Sequence, residues 1–376
     1  MMDNSFPEIH NCFGFGCMRL PMKDGKVDMD EFNAMVDYYL DHGFNYFDTA
    51  HGYLDGLSEL AVKEGLTSRY PRDQYILTDK LTGSYFQKEA DIRPFFEKQL
   101  ACTGVEYFDF YLMHAQNAKE FEKFKKCRAY ETAFTLKEEG KVRHVGISFH
   151  DKAAVLDQIL SEYPQIEIVQ IQFNYLDYND PSVESGKVLE VARRHKKPVI
   201  VMEPVKGGNL VNLPAEAQKI LDELHGGSNA SYAIRFAAGF DGIRIVLSGM
   251  SDLDQMKDNV SYMKDFKPLN DQEMAAVKKV NQVFRGLNMI PCTACHYCIE
   301  ENHCPKHILI PDLFACLNSK NVFHDWNADF YYNSALTTQG HGKASDCIKC
   351  GGCEKVCPQH LPIRDLLEQV AKEFEK

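Results

Sequence analysis

Eight of the 13 cysteines in this 376-residue chain lie in its last quarter, in two runs whose spacing suits metal chemistry. One run is Cys292, Cys295, Cys298 and Cys304, followed by Pro305; the other is Cys347, Cys350, Cys353 and Cys357, followed by Pro358. The second fits C-x2-C-x2-C-x3-C-P throughout, the spacing of thiolates around an iron–sulfur cube, and the first differs only in having five residues before its last cysteine. Cysteines at i, i+3 and i+6 wrap one corner of such a cube in a tight turn, and the fourth ligand comes from elsewhere. Zinc is the rival, because paired C-x2-C units also make tetrahedral sites. Three cysteines in one run, closed by C-P, favour clusters. Cys316 fits neither set and reads as a buried apolar residue. His296, His303, His307 and His360 lie near cysteines and read as surface or hydrogen-bonding residues.

A second constellation lies in the first third of the chain. Asp48 closes the run FNYFD, Lys80 closes YILTDK, His114 closes FYLMH, and Tyr53 follows Asp48 by five residues. Each alone has an ordinary reading: a loop anchor, a solvated rim residue, a structural hydrogen-bonder, a loop aromatic. Together they suit carbonyl reduction. A hydride arriving at carbonyl carbon leaves an alkoxide that needs a proton. Tyr53 can give one, an adjacent Lys80 ammonium is expected to lower its pKa, and Asp48 can hold Lys80 charged and in place. His114 can hydrogen-bond the carbonyl oxygen.

The elements that must position these residues alternate. Short β-branched or aromatic runs near 13–16 and at 45–48, 75–80, 108–114, 144–148, 168–173, 198–202 and 243–248 read as strands. Helical patterns at 30–42, 58–68, 88–102, 121–139, 152–163, 182–194, 228–238 and 253–263 separate them. Strand–helix alternation implies parallel strands joined by crossovers. Eight such units predict an α/β fold of the (β/α)8 TIM-barrel type, with a doubly wound open sheet as the competitor. Polar residues ending different barrel strands converge on one mouth.

With these residues in view, the first 265 residues resemble the aldo-keto reductase family. Its Asp-Tyr-Lys-His tetrad corresponds to Asp48, Tyr53, Lys80 and His114; DTAHGY resembles its D-T-A-x-x-Y signature, and Glu59 stands where a helix glutamate is usual. Gly146-Ile147-Ser148 resembles G-[VIF]-S-N, Gln170 matches a glutamine that helps hold the nicotinamide carboxamide, and Asn259 matches an adenine contact. The resemblance implies a (β/α)8 barrel that binds NAD(P)H without a Rossmann fold. It puts cofactor contacts at Ser148, Gln170, Met202, Ser248, Gly249 and Asn259. The match has departures. Phe149 replaces the usual Asn, Met202-Glu203-Pro204 replaces an aromatic-Ser-Pro, and Asp258 replaces Glu. The segment 249–255 carries two acids and no base, so a preference for NADPH is not expected.

The cysteine region looks like an all-helical dicluster ferredoxin module, because 42 residues separate its runs, at 305–346, with an aromatic cluster of Trp326, Phe330, Tyr331 and Tyr332. In such modules the fourth cysteine of each run ligates the other cluster. That rule gives two [4Fe-4S] sites: Cys292, Cys295, Cys298 and Cys357, and Cys347, Cys350, Cys353 and Cys304. The expected organisation is therefore a barrel over 1–268, a helical linker over 269–286 and a small, mainly α-helical dicluster domain over 287–376. The expected function is reduction of an aldehyde or ketone by hydride from NAD(P)H, with Tyr53 as proton donor and the clusters as an electron-transfer module. The alternatives are a ferredoxin-coupled reductase whose clusters feed the barrel site, or a cluster-bearing electron-transfer or sensor protein. Expected partners are a small carbonyl substrate and an electron-transfer protein. A net charge of −12 argues against nucleic acid, and the absence of an apolar run near 18 residues argues against a membrane span. Cysteines spaced for metal and an N-terminus without a secretory pattern suit the cytoplasm.

Overall fold

The computed structural model describes residues 5–180, 183–287, 289–323, 328–338 and 340–375; Trp326 lies outside them. The chain forms two compact units, Met1–Pro204 with Ala230–Asn270, and Val205–Asn229 with Asp271–Lys376.

The first unit is built on eight strands: β1 (Phe13–Gly16), β2 (Tyr46–Asp48), β3 (Ile76–Leu81), β4 (Phe108–Gln116), β5 (Val142–Phe149), β6 (Ile168–Gln172), β7 (Val199–Met202) and β8 (Ile243–Gly249). Each pairs in parallel with its sequence neighbours, and β1 pairs with both β2 and β8, closing the barrel and excluding the open sheet. Every residue of β3 is buried, the signature of a strand covered on both faces. Inside, Tyr46, Ile76, Phe110, Leu112, Ile168, Ile200, Ile245 and Leu247 form one cluster, so the barrel is a packed core. Gly146 on β5 is required there. A Cβ at that position would come within 2.6 Å of Leu112 and Ile168 side-chain carbons. Phe6 and Ile9 join the same cluster. The buried guanidinium of Arg244 on β8 fastens their segment by donating to the carbonyls of Ser5, Phe6, Ile9 and Asn11 at 2.5–3.2 Å.

Two helices differ from expectation. The pattern over 121–139 is two helices, Ala118–Lys126 and Ala129–Glu138, broken at Arg128 with φ 53°. The break brings Phe121 and Phe124 of the first against Tyr130 of the second. The pattern over 58–68 is an α-helix, Leu57–Val62, that widens into a π-turn, Lys63–Thr67.

The second unit is mainly helical. Helix Ile310–Phe323 packs on Ile363–Phe374 around Leu313, Phe314, Leu317, Leu367, Val370 and Phe374. Helix Asp271–Gly286 packs on Ala215–Asp222. Residues 205–229, inside the stretch read from sequence as barrel, cluster with this unit. The reason is local: Asn209 Nδ2 donates to the Cys292 carbonyl at 3.1 Å, and Gly207 lies directly against the backbone of Thr293. No described helix is long and apolar enough to cross a membrane.

Candidate functional site

Three adjacent parallel strands deliver three of the four residues to one end of the barrel. Asp48 ends β2, Lys80 stands one residue before the end of β3, and His114 lies near the end of β4. Tyr53 opens a short 3-10 turn, Tyr53–Gly56, in which Leu54 and Asp55 are left-handed. The fully buried Lys80 Nζ donates to Asp48 Oδ1 at 2.5 Å and to the Thr49 carbonyl at 2.8 Å. Its ammonium also lies 4.7 Å from the centroid of the Tyr53 ring, which meets the His114 ring edge-to-face at 6.0 Å. Gln170 Nε2 donates to the other Asp48 oxygen at 3.1 Å. The four residues are therefore one contiguous group.

The electrostatics correct one expectation. Burial, then the Asp48 and Asp79 carboxylates, hold the Tyr53 phenol well above its ordinary pKa of 10.0. These effects outweigh the Lys80 ammonium, whose charge is also paired with Asp48. Burial, then Lys80 and His150, hold the His114 imidazole neutral, well below 6.5. His114 Nδ1 lies 2.7 Å from the Thr82 hydroxyl.

Behind the tetrad sits a polar layer that spacing did not reveal. Glu59 and Asp79 are both fully buried. Asp79 Oδ1 accepts from the Lys80 N–H at 2.7 Å and from Gln99 at 2.9 Å, whereas Oδ2 has no donor. Glu59 contacts His51 Nδ1 at 2.6 Å and accepts from Gln99 at 3.3 Å. Burial pushes Glu59 up to about 7 and, with the Glu59 charge, Asp79 well above its usual range. One proton shared by the two carboxyls satisfies the remaining oxygen. Donor atoms of His51, Glu59 and Cys102 also lie within 4.8 Å of one another, close enough for a metal ion.

The residues expected to hold the nicotinamide and its nucleotide fall around the same barrel end. Ser148 and Gln170 are register partners on β5 and β6, both buried, and Ser148 Oγ accepts from the Ala115 N–H at 3.2 Å. Met202 ends β7 and is half-buried. Ser248 and Gly249 end β8. Asn259 bridges Ser248 Oγ, at 3.1 Å, and the Tyr262 hydroxyl, so its amide ties helix Leu253–Met263 to β8. The N-terminus of that helix already holds two carboxylates. Asp252 caps it through Gln255 N–H at 2.8 Å, and Glu31 accepts from Leu253 N–H at 2.7 Å. One base distant in sequence lies against this segment. Arg19 packs beside Gly249, and its carbonyl accepts from Ser251 at 2.9 Å. Hydrogen-bonding side chains at adjacent strand ends beside the tetrad fit a nicotinamide.

In the second unit the cysteines fall into the two expected sets. Cys292, Cys295, Cys298 and Cys357 line one small pocket, and Cys304, Cys347, Cys350 and Cys353 line another. Both runs use the same backbone. The second and fourth residues after the first cysteine are left-handed: Ala294 and His296 in one, Lys349 and Gly351 in the other. Alternating left-handed residues turn successive N–H groups toward one point, as in anion nests, and Ala294 N–H donates to Cys292 Sγ at 3.4 Å. Crowded thiols with convergent N–H donors suit an iron–sulfur cube. Cys316 is buried outside both sets, its thiol on the Ala328 carbonyl at 3.2 Å.

Residues 13–282 match the model of the aldo/keto reductase family, and residues 291–362 match that of a 4Fe-4S dicluster domain. A curated relative, an NADH-specific methylglyoxal reductase from Escherichia coli, is 28% identical over 188 residues, 45% of this chain and 54% of that protein. An L-galactose dehydrogenase from Arabidopsis thaliana is 27% identical and covers 69% of this chain and 86% of its own length. Among solved structures, the holo form of an aldo-keto reductase from Bacillus halodurans is 26% identical, with a TM-score of 0.58 over 71% of this chain and 91% of that one. A Klebsiella pneumoniae aldo-keto reductase in complex with NADPH, at 19% identity and TM-score 0.60 over 72% and 90%, shares the fold.

Proposed function

The chain belongs to the aldo/keto reductase family and carries a 4Fe-4S dicluster domain, and from this premise we propose that it reduces a small aldehyde or ketone to an alcohol at Asp48, Tyr53, Lys80 and His114. The observation that carries the reading is the buried Lys80–Asp48 pair lying under the Tyr53 ring, with His114 beside it.

A reduced nicotinamide, held by Ser148, Gln170 and Met202 with its nucleotide along Ser248, Gly249 and Asn259, supplies the hydride when bound. The protein's own residues do the rest. With the Thr82 hydroxyl donating to Nδ1, His114 keeps its proton on Nε2 and points a neutral donor at the carbonyl oxygen. As the C=O π bond breaks, negative charge grows on that oxygen and Tyr53 transfers its proton there. The raised pKa of Tyr53 fits this role, because the phenol stays protonated through neutral pH and an alkoxide is far more basic than a phenolate. Lys80 then faces a tyrosinate that its ammonium stabilises. The carboxylates of Asp252 and Glu31 at the nucleotide end disfavour a further phosphate, while Arg19 favours one. NADH is therefore expected to serve at least as well as NADPH, as in the methylglyoxal reductase relative.

The eight cysteines would hold two [4Fe-4S] clusters, which supply one-electron chemistry. A second reading, in which the clusters feed the barrel site, is favoured by the dicluster domain lying in the same chain as the reductase domain. The test is anaerobic NADH and NADPH oxidation with a panel of aldehydes. Turnover that Tyr53→Phe abolishes while iron content is unchanged supports the first reading. Turnover only with a reduced viologen or ferredoxin supports the second, and none with either donor overturns both.

A further inference from the structure

We propose that Lys206 sets the reduction potential of the cluster held by Cys292, Cys295, Cys298 and Cys357, raising it by placing a buried cation beside it. The inference rests on the reading that this cysteine set holds a [4Fe-4S] cluster.

Lys206 stands four residues beyond the end of β7 and is only 3% exposed. Buried lysines are rare, because desolvating an ammonium is costly unless it has polar partners. Its backbone is left-handed at φ 47°, and the following Gly207 is left-handed at φ 64°. A lysine in this region is strained, so the fold is spending energy to direct this segment. Gly207 is needed because a Cβ there would sit 2.4 Å from the Thr293 carbonyl oxygen. The segment thus lies directly on the backbone after Cys292. Lys206 Nζ donates to Gln359 Oε1 at 3.1 Å. Gln359 is itself buried, lines the cavity shared by the four thiols, and follows Cys357 by two residues. The ammonium is therefore held by the residue two beyond the last cysteine of one set, while the adjoining Gly207 lies against the residue after the first.

Four thiolates around a cube carrying two positive charges leave a net charge of −2, and one added electron makes it −3. A fixed cation in a water-poor site stabilises the more negative state, so it raises the potential. The other set is treated differently. Lys306 and Arg364 line its cavity, but both are exposed, and Arg364 is committed to Glu354 at 2.8 and 2.9 Å. Solvent screens those charges. The two sets have nearly the same ligand geometry but different fixed charge.

The test is an anaerobic dye-mediated redox titration of the full-length holoprotein, followed by electron paramagnetic resonance, with iron and sulfide measured on each sample. Wild type, Lys206→Met and Lys206→Arg are compared. In Lys206→Met one of two reduction waves is expected to move to more negative potential while the other stays, and Lys206→Arg is expected to return it toward wild type. If the Met variant loses iron, Lys206→Gln is read by the same criterion. Waves that both stay, or that shift together, overturn the role of Lys206. Wild type that holds no cubane iron instead overturns the cluster reading on which the proposal stands.

Discussion

The buried Glu59–Asp79 pair makes a stability prediction with a definite sign. Two fully buried carboxyls beside each other cannot both ionise cheaply, and Asp79 Oδ2 has no donor unless a proton lies between them. Glu59 moves from an unfolded value near 4.5 to about 7 in the folded chain. A carboxyl whose folded pKa is raised stabilises the protein fully below the unfolded value and loses that contribution as pH rises through the folded one. At 1.36 kcal/mol per unit, the pair is worth about 3 kcal/mol, lost between roughly pH 4.5 and 7. Glu59→Gln removes that titration, whereas a buried Glu59 would still titrate in a variant at Asp79. The amide oxygen can still accept from Gln99, and its new N–H can donate to Asp79 Oδ2 in place of the shared proton. The assay is anaerobic urea unfolding of wild type and Glu59→Gln by far-ultraviolet circular dichroism from pH 4.5 to 8. His51 and His114, whose pKa values fall on folding, give stability that grows as pH rises through 6.5, but they are present in both proteins. The difference between the two curves therefore isolates the pair. Wild type is expected to lose about 3 kcal/mol relative to the variant across that window. Parallel curves would refute the shared proton.

Other outcomes follow from single contacts. Arg244→Ala strips the donors from four carbonyls of the N-terminal segment; a loss of about 2–4 kcal/mol is expected in the same urea assay, and a change within 0.5 kcal/mol would sink that account. Arg19→Ala is expected to raise the KM for NADPH roughly tenfold more than that for NADH, the worth of about 1.4 kcal/mol; equal changes would place Arg19 away from the 2′-phosphate. Ala294, His296 and Lys349 are left-handed without being glycine, at about 1–2 kcal/mol each. Stripping iron anaerobically with a chelator should therefore expose the 290–375 region to protease before the barrel, and simultaneous cleavage of both would contradict this.

The barrel was legible because its information is periodic and local. Buried parallel strands write themselves as short apolar runs, and a polar residue at the end of each run, such as Asp48 or His114, is visible without knowing its neighbours. Cysteine spacing is legible for the same reason: three ligands of each set lie within one turn of chain. What spacing could not give was environment. The acidity of Tyr53 came out with the wrong sign because the opposing effects, burial and two carboxylates, come from β2 and β3 and from the packing over them. Asp79 alternates with Lys80 on one strand, yet nothing in the run YILTDK says that it faces Glu59. Arg19 meets Ser251 across 232 residues. Residues 205–229 read as one more barrel crossover, and only their contacts with Cys292 and Thr293 reveal where they belong. A glycine and a lysine with positive φ were the available signal, and neither residue type announces its dihedral in a sequence.

The two chemistries impose a count. Reducing one carbonyl takes two electrons, and a hydride brings both at once with its proton core. A cube takes one. Two cysteine sets in one chain therefore store the electrons of one hydride, but only if both are filled before the carbonyl is released. That condition makes fixed charge matter: the set beside Lys206 fills first as its potential rises, and the other, screened by water, governs whether the second electron is available. The hydride route has no such requirement, because the tetrad works on a pair of electrons delivered together. A chain reduced at both sets, freed of nicotinamide and mixed with aldehyde should give one alcohol per chain if the clusters feed the tetrad, the two electrons being joined by the Tyr53 proton on oxygen and a solvent proton on carbon, and none if they serve a separate partner. Since Tyr53 supplies the proton in either case, Tyr53→Phe lowers the yield only in the first, which separates electron supply from proton supply at one site.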